Sequence, residues 1–161
     1  MNLTKEQKEV FDKEGYLFFP SIFSQKEIQN LLHAVPELYK IRGEYNFREK
    51  GSDVVRTNFA AHLYSMPFAK LARHPRMIHP VEDLLQEKLY MHQFKINGKM
   101  AFKGDVWQWH QDYGTWFNDD LMPSARAMNV AIFLDEVTEF NGPLLFIPGS
   151  HKKGIIKAKH D

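Results

Sequence analysis

The 161-residue sequence contains no cysteine, so disulfides cannot stabilise the fold. It also lacks any run of the roughly 20 apolar residues that a helix needs to span a bilayer. The first residues, MNLTKEQKEVF, are charged where a signal peptide has its apolar core. These absences predict a cytoplasmic protein that has no membrane partner and is stabilised by the burial of apolar side chains.

An excess of charge of one sign is missing as well. The 21 basic and 20 acidic side chains leave a formal net charge of +1, and no run of Lys or Arg is dense enough to follow a phosphate backbone. We therefore expect no nucleic-acid partner. Hydrophobic residues make up 43% of the sequence and charged residues 25%, which is ordinary for a globular protein, and we expect a single domain over residues 1–161.

Two helices are predicted near the amino terminus. TKEQ (4–7) and SQKE (24–27) are both capping boxes, in which a hydroxyl and a Glu or Gln side chain satisfy amides that a helix start leaves unpaired. The first helix is expected to run to about Glu14 and to end at Gly15, because glycine readily adopts the left-handed conformation that follows a helix. The second helix is expected to end near Lys40.

A charged segment without periodicity follows at 41–53, and its two glycines indicate a loop. Its length is compatible with a mobile surface loop and equally with a lid over a site. Beyond it, 67–85 has a helical pattern that we expect to be broken at both Pro75 and Pro80, because proline cannot donate the backbone hydrogen bond of a helix.

The pattern changes to a period of two after Lys88, which is typical of strands. The first such segment is LYMHQFKIN (89–97). Further strands are predicted at Val106–Asp112, Arg126–Leu134 and Leu144–Ile147, with turn residues between them. Helices followed by strands predict the α+β class with a mostly antiparallel sheet.

The stretch WQWHQDYGTW (107–116) combines three tryptophans with a histidine and an aspartate. In an extended strand alternate side chains point the same way, so His110 and Asp112 can converge on one ion while Gln111 faces elsewhere. With a second histidine from a distant strand, this pair would complete the facial triad that binds non-haem Fe(II). His-x-Asp alone is weak evidence, and the aromatic residues around it indicate either a dry cavity or an aromatic sheet core.

Polar side chains at two other places are candidates for ligand binding. Gln93, Lys95 and Asn97 share one face of a predicted strand, which is either solvated, as periodicity alone favours, or lines a polar cavity. Asn129 lies between two alanines on one face of an otherwise apolar strand. Its amide could orient a ligand in the space that the small neighbours leave, or it could be buried and bonded to the backbone.

Five segments, which together cover most of the chain, resemble the sequences of one known family. They are FDKEGYLFFPSIFS (11–24), VVRTNFAAH (54–62), LARHP (71–75), YMHQFKINGKMAFKGDVWQWHQDYGTW (90–116) and DDLMPSARAMNVAIFLDEVTEFNGPLLFIPGSHKKG (119–154). Together they resemble the phytanoyl-CoA dioxygenase family of Fe(II)/2-oxoglutarate oxygenases, and within it the bacterial branch that includes ectoine hydroxylase. The resemblance implies a double-stranded β-helix, a cupin-like jelly-roll with amino-terminal helices packed on one sheet.

The resemblance also implies a role for each candidate residue. His110 and Asp112 would be catalytic as two ligands of the iron. The 2-oxoglutarate pocket would contain Gln93, Asn97, Trp107 and Asn129. The residues near the primary substrate would be Trp116 and, with a weaker match, Lys103 and Tyr113. A lysine there would suit a substrate carboxylate.

Asp112 bears on the reaction that the resemblance implies. Related halogenases have a small residue at this position so that chloride can bind the iron, whereas Asp112 keeps the position occupied. The implied reaction is therefore hydroxylation of a small polar or amino-acid-like substrate, with O₂ consumed and 2-oxoglutarate converted to succinate and CO₂. The alternative is a catalytically incomplete jelly-roll relic or a small-molecule binding module.

Two further residues of the family's site have no convincing counterpart in the sequence, namely a later histidine that binds iron and an arginine that pairs with 2-oxoglutarate. Only His151 and His160 follow Asp112 among the histidines, and His151 belongs to a PGSH turn that does not bind the metal in the family. We therefore expect residues 1–161 to be the amino-terminal part of a longer protein whose last strands, with half of the iron site, lie outside it. The chain alone is expected to bind Fe(II) weakly, because two ligands do not fix the geometry.

Overall fold

The computed structural model describes residues 2–157, which form an α+β fold as predicted. The helices are α1 (Lys5–Glu14), α2 (Gln25–Lys40), α3 (Ala61–Tyr64), α4 (Met66–Ala72), α5 (Pro75–Leu85) and α6 (Asp112–Asp119). The strands are β1 (Asn46–Arg48), β2 (Val55–Phe59) and β3 (Lys95–Asn97), and a 3₁₀ turn spans Ser150–Lys153. Within the described residues, no helix combines the length and apolar character needed to cross a membrane.

Local signals determine the ends of the first two helices, and these predictions are confirmed. Thr4 Oγ1 accepts a hydrogen bond from the Gln7 amide at 3.2 Å, while the Gln7 side chain accepts one from the Thr4 amide at 2.9 Å. Ser24 and Glu27 form the same reciprocal pair at the start of α2. Gly15 ends α1 with φ +86° and donates its N–H to the Phe11 carbonyl.

The two prolines of the third helical region act differently. The chain breaks before Pro75, which occupies the first position of α5, where its missing N–H costs no hydrogen bond. Pro80 lies inside α5 and is buried, so the prediction that it would break the helix is wrong. Burial of the ring against its neighbours compensates there for the hydrogen bond that the helix loses.

Within residues 2–157, one three-stranded antiparallel sheet has the order β1-β2-β3. Asn58 of the central strand faces Asn46 on one side and Ile96 on the other. The predicted loop 41–53 therefore contains a strand, β1, whose polar sequence gives no strand signal. Because β1 is held through pairing with β2, only long-range contact makes it extended.

The strands predicted at 106–112, 126–134 and 144–147 are not formed, and only 95–97 of the predicted 89–97 strand is extended within the sheet. A strand needs a neighbour for its backbone N–H and C=O groups, and within residues 2–157 no segment pairs with these three. Alternation is nevertheless seen at the sheet edge, where Ile96 is buried while Lys95 and Asn97 are exposed.

The core lies between α2, α4 and the sheet. Leu31, Val35 and Leu38, spaced by four and three residues, put one face of α2 against this core. The other members are Phe23, Ala61, Phe68, Leu71 and Ile96. At roughly 1.5–3 kcal/mol for each large buried side chain, this cluster is a main source of the free energy that holds the helices on the sheet.

An ion pair at the start of α2 makes stability depend on pH. The Arg76 guanidinium donates to the Glu27 carboxylate and, together with hydrogen bonds from Ser24, lowers the Glu27 pKa from 4.5 to about 2. Because the folded pKa is depressed, this contribution to stability is complete above pH 4.5 and is lost as the pH falls towards 2. We expect Glu27→Gln to lower the free energy of unfolding near neutral pH, with a gap to wild type that narrows over that acid range.

Urea unfolding of both proteins at a series of pH values measures this gap. Glu37→Gln is a matched control, because Glu37 forms an exposed pair with Lys40 on the same helix, and exposed pairs contribute little. If the difference in free energy of unfolding between wild type and Glu27→Gln stayed constant down to the lowest pH, the lowered pKa of Glu27 would be contradicted.

Candidate active site

The chain passes through His110 and Asp112 where an irregular segment enters α6. Gln111 is the N-cap of this helix and is extended, with φ −111° and ψ 123°, and Asp112 is the first helical residue. One extended residue is enough to put its two neighbours on the same side, so the convergence predicted for a strand occurs without a sheet. A carboxylate in the first turn also interacts favourably with the positive end of the helix dipole.

The structure brings His110 and Asp112 into contact. Nε2 of His110 lies 3.2 Å from Oδ1 of Asp112, and the two side chains are 44% and 41% exposed. The Gln111 side chain points elsewhere, as expected, and its amide makes two hydrogen bonds to the backbone of the segment 154–156. One face of the site is thus tied to the last described residues, while the other is open.

The donor set of this pair fits a metal ion. Nδ1 of His110 lies 2.6 Å from the Gln108 carbonyl, which can only accept, so Nδ1 carries a proton. In a neutral imidazole Nε2 then has a lone pair, and it faces a carboxylate oxygen that is also an acceptor. Either a proton on Nε2 or a metal ion bound by both atoms resolves this contact, and an Nε2 fixed by a carbonyl on Nδ1 is the usual arrangement of a metal-binding histidine.

Asn129 contacts this pair directly. Its Nδ2 donates to Oδ2 of Asp112, which leaves Oδ1 directed at the imidazole. The residue is exposed and bonded to a side chain, so the alternative of a buried Asn bonded to the backbone is wrong. Within residues 2–157, no group of three His, Asp or Glu side chains lies close enough together to hold a metal.

The other residues assigned to the 2-oxoglutarate pocket lie along the sheet edge and the segment before His110. Asn97 accepts a hydrogen bond from the Thr57 hydroxyl at 3.0 Å. Gln93 is exposed and makes no hydrogen bond to other described residues, which agrees with a solvated face. Trp107 is 45% exposed and lies beneath the Arg56 guanidinium, whose Cζ is 4.0 Å from the ring centroid. All three side chains are thus exposed rather than part of the core.

The residues assigned to the substrate have unlike environments. Trp116 is buried on α6, and its ring meets His92 edge-on at a centroid distance of 5.4 Å. His92 in turn lies 2.9 Å from Asp120 just after the helix. The Tyr113 hydroxyl donates to the Met122 carbonyl at 3.5 Å, and Lys103 is exposed in a turn. Trp116 therefore positions α6 from within, whereas Lys103 is free to meet a ligand from solvent.

His151 lies at the carboxyl end of α1 instead of at the site. Its Nε2 is 2.9 Å from the Asp12 carbonyl, and a Cβ added at Gly15 would lie 2.3 Å from its Nδ1. His160 lies outside the described residues. A cleft of about 400 Å³ beside α1 is lined by His151 and by the paired charges Lys8 and Asp83, and neither His110 nor Asp112 borders it.

Sequence reasoning missed two residues that hold the segment before His110, namely Glu49 and Arg56. They form a buried ion pair, with the Arg56 Nη1 3.2 Å from both carboxylate oxygens of Glu49. The only signal was an arginine inside the otherwise apolar and neutral stretch VVRTNF, which needs a partner if the strand is buried. Its partner lies in the predicted loop 41–53, so that loop is anchored to the site.

Comparison with known proteins agrees with the resemblance. The sequence pattern of the family described as Phytanoyl-CoA dioxygenase (PhyH) matches residues 11–161. An ectoine dioxygenase of Bordetella bronchiseptica is 35% identical over 157 residues, which cover 95% of this chain and 51% of that protein. An L-proline trans-4-hydroxylase of Streptomyces griseoviridis is 36% identical over 147 residues, which cover 91% and 55%. The chain spans about half the length of the curated relatives it matches.

A solved structure is similar over almost all of the chain. The apoform of EctD from S. alaskensis matches with a TM-score of 0.89 and 33% identity, covering 97% of this chain and 59% of that one. The same protein with 2-oxoglutarate and 5-hydroxyectoine gives a TM-score of 0.73 over 77% of this chain and 45% of that one. The structure of that protein with bound Fe matches with a TM-score of 0.66 over 71% of this chain and 42% of that one.

Proposed function

The chain belongs to the phytanoyl-CoA dioxygenase family, and from this membership we propose that the complete protein is an Fe(II)/2-oxoglutarate-dependent dioxygenase. It would hydroxylate a small polar or amino-acid-like substrate and release succinate and CO₂. The observation that carries this proposal is the pair of facing acceptors, His110 Nε2 and Asp112 Oδ1, in the segment that the family match includes.

Within the described residues, His110 and Asp112 would hold the iron. Bound Fe(II) and 2-oxoglutarate would together supply the oxidant for hydroxylation of a C–H bond. Asn129 would orient the Asp112 carboxylate through Oδ2, and the Gln108 carbonyl would keep the proton of His110 on Nδ1. Since Asp112 is a carboxylate ligand, the site leaves no position free for chloride in its place, and hydroxylation is favoured over halogenation.

The cosubstrate and the substrate would bind beside this pair, each to its own set of residues. Gln93, Asn97 and Trp107 would border 2-oxoglutarate, since they offer two amides and an aromatic wall near an open face. Lys103 would pair with a substrate carboxylate, and Trp116 and Tyr113 would support that side through α6. The substrate class follows from the relatives, which are named for ectoine and L-proline, both small molecules with a carboxylate.

In the complete protein we infer a double-stranded β-helix. The segments 106–112, 126–134 and 144–147 have strand periodicity but no partner within residues 2–157. The relatives are about twice as long as the matched region, so their chains contain enough residues to supply partner strands. Pairing would give the three segments the backbone hydrogen bonds that they lack.

Binding and turnover by the complete protein test this proposal. Under anaerobic conditions, Fe(II) and 2-oxoglutarate added together should give a visible charge-transfer band that neither gives alone, and Zn(II) in place of Fe(II) should give none. With O₂ and a small amino-acid-like substrate, succinate should form in proportion to hydroxylated product. If the protein bound 2-oxoglutarate but formed no succinate, it would be a binding module instead. If it neither bound 2-oxoglutarate nor formed succinate, the proposal would be wrong.

A further inference from the structure

Residues 105–107, which lead into His110, belong to no helix or strand, yet their backbone is held at two points by the side chains of Glu49 and Arg56. Arg56 Nη2 donates to the Val106 carbonyl at 2.9 Å, and Glu49 Oε1 accepts from the Asp105 amide at 3.1 Å. One donor and one acceptor thus replace the contacts that a neighbouring strand would make.

The same guanidinium also fixes a side chain. Its Cζ lies 4.0 Å from the centroid of the Trp107 ring, in the geometry of a cation–π contact. Arg56 and Glu49 are only 14% and 9% exposed, so their attraction is weakly screened by solvent. The planar fork of arginine can pair with a carboxylate, donate to a carbonyl and cover a ring at once, which the single ammonium of lysine cannot do.

We propose that Arg56 and Glu49 are a positioning pair that fixes Trp107 and the backbone leading to His110, and thereby sets the affinity for 2-oxoglutarate. The inference rests on the proposed function for its last step only, because the contacts with Trp107 and residues 105–106 are all made by residues of this chain. Glu49 directly follows β1 within the predicted loop 41–53, so the pair also links that loop, whether a surface loop or a lid, to the segment before His110.

The test compares Arg56→Lys and Glu49→Gln with wild type in the complete protein. We expect the dissociation constant of 2-oxoglutarate, measured by titrating the anaerobic charge-transfer band, and its KM to rise about tenfold to a hundredfold, the usual effect of losing a residue that supports a metal site. The rate at saturating 2-oxoglutarate should fall much less. Arg42→Lys is the matched control, because Arg42 forms an exposed pair with Asp53 in the same region, and it should change neither value.

A second readout does not need iron or 2-oxoglutarate. Quenching of tryptophan fluorescence by acrylamide should increase in Arg56→Lys, because the Trp107 ring is then less covered. This increase should disappear in a Trp107→Phe background, which lacks that tryptophan. If Arg56→Lys does not fold, Glu49→Gln provides both readouts, because glutamine has almost the same volume and shape as glutamate.

The outcomes separate the two proposals. Wild-type affinity for 2-oxoglutarate together with wild-type quenching in both variants overturns the positioning pair. Equal losses of affinity and of saturated rate, with no change in quenching, also overturn it, because they show an effect on the site that does not act through Trp107. A wild-type protein that gives no charge-transfer band overturns the proposed function instead, and the quenching experiment still decides whether Arg56 holds Trp107.

Discussion

His110→Ala in the complete protein is expected to abolish the charge-transfer band of Fe(II) with 2-oxoglutarate and to reduce succinate formation by more than about a hundredfold. Loss of a residue that only supports a metal ligand typically costs about 10–100-fold, so loss of a ligand should cost more. The imidazole contributes an Nε2 that the Gln108 carbonyl leaves as the lone-pair nitrogen, and alanine supplies nothing in its place. Anaerobic titration and a succinate assay measure both effects.

Two further variants test whether the effect of His110→Ala is specific to an iron ligand. Asn129→Ala removes only the hydrogen bond to Asp112 Oδ2, and it should weaken iron binding by about tenfold without abolishing the band. His151→Ala is the matched control, since that histidine is bonded to the Asp12 carbonyl on α1 and should leave the band intact. A band that survived in His110→Ala but vanished in His151→Ala would reverse the assignment.

The parts of the fold that sequence predicts well are those decided within a few residues. The capping boxes at Thr4 and Ser24 and the left-handed Gly15 each involve atoms of one helix end, so the sequence contains the whole interaction. The predicted strands failed for the opposite reason. Alternation at 106–112 describes which side chains could share a face, but a strand forms only where another strand accepts its hydrogen bonds.

The candidate site divides in the same way. His110 and Asp112 are separated by one residue, and an extended Gln111 is sufficient to bring them together, so their spacing alone predicts the contact. The pair formed by Glu49 and Arg56 joins a loop to β2 and then to residues 105–107, and no local pattern encodes those contacts. Long-range polar contacts of this kind become visible only when the fold has placed both partners.

Asn58→Ala is expected to lower the free energy of unfolding by about 3 kcal/mol, because it removes the centre of a buried polar network. Asn58 is fully buried in the central strand; its Nδ2 donates to Asn46 Oδ1 at 2.8 Å, and its Oδ1 accepts from the Tyr64 hydroxyl at 3.0 Å. Asn46 uses its own amide to satisfy the Leu38 and Ile41 carbonyls at the end of α2. Alanine would leave a cavity and an unpaired acceptor on Asn46. Urea unfolding, with a check that the transition is two-state, gives the change.

The alternative to a polar network is simple packing, and two variants separate them. Asn58→Leu restores apolar volume but still leaves the Asn46 oxygen unpaired, so it should remain destabilised by at least about 1 kcal/mol if the hydrogen bonds matter. Asn118→Ala removes an exposed amide bonded to the Gly114 carbonyl and should change stability by less than about 0.5 kcal/mol. Full recovery in Asn58→Leu would mean that volume alone holds the sheet to α2. If Asn58→Leu stays less stable than wild type, the hydrogen-bond network fixes the position of β1. It then also fixes the Glu49 carboxylate, which lies three residues after Asn46.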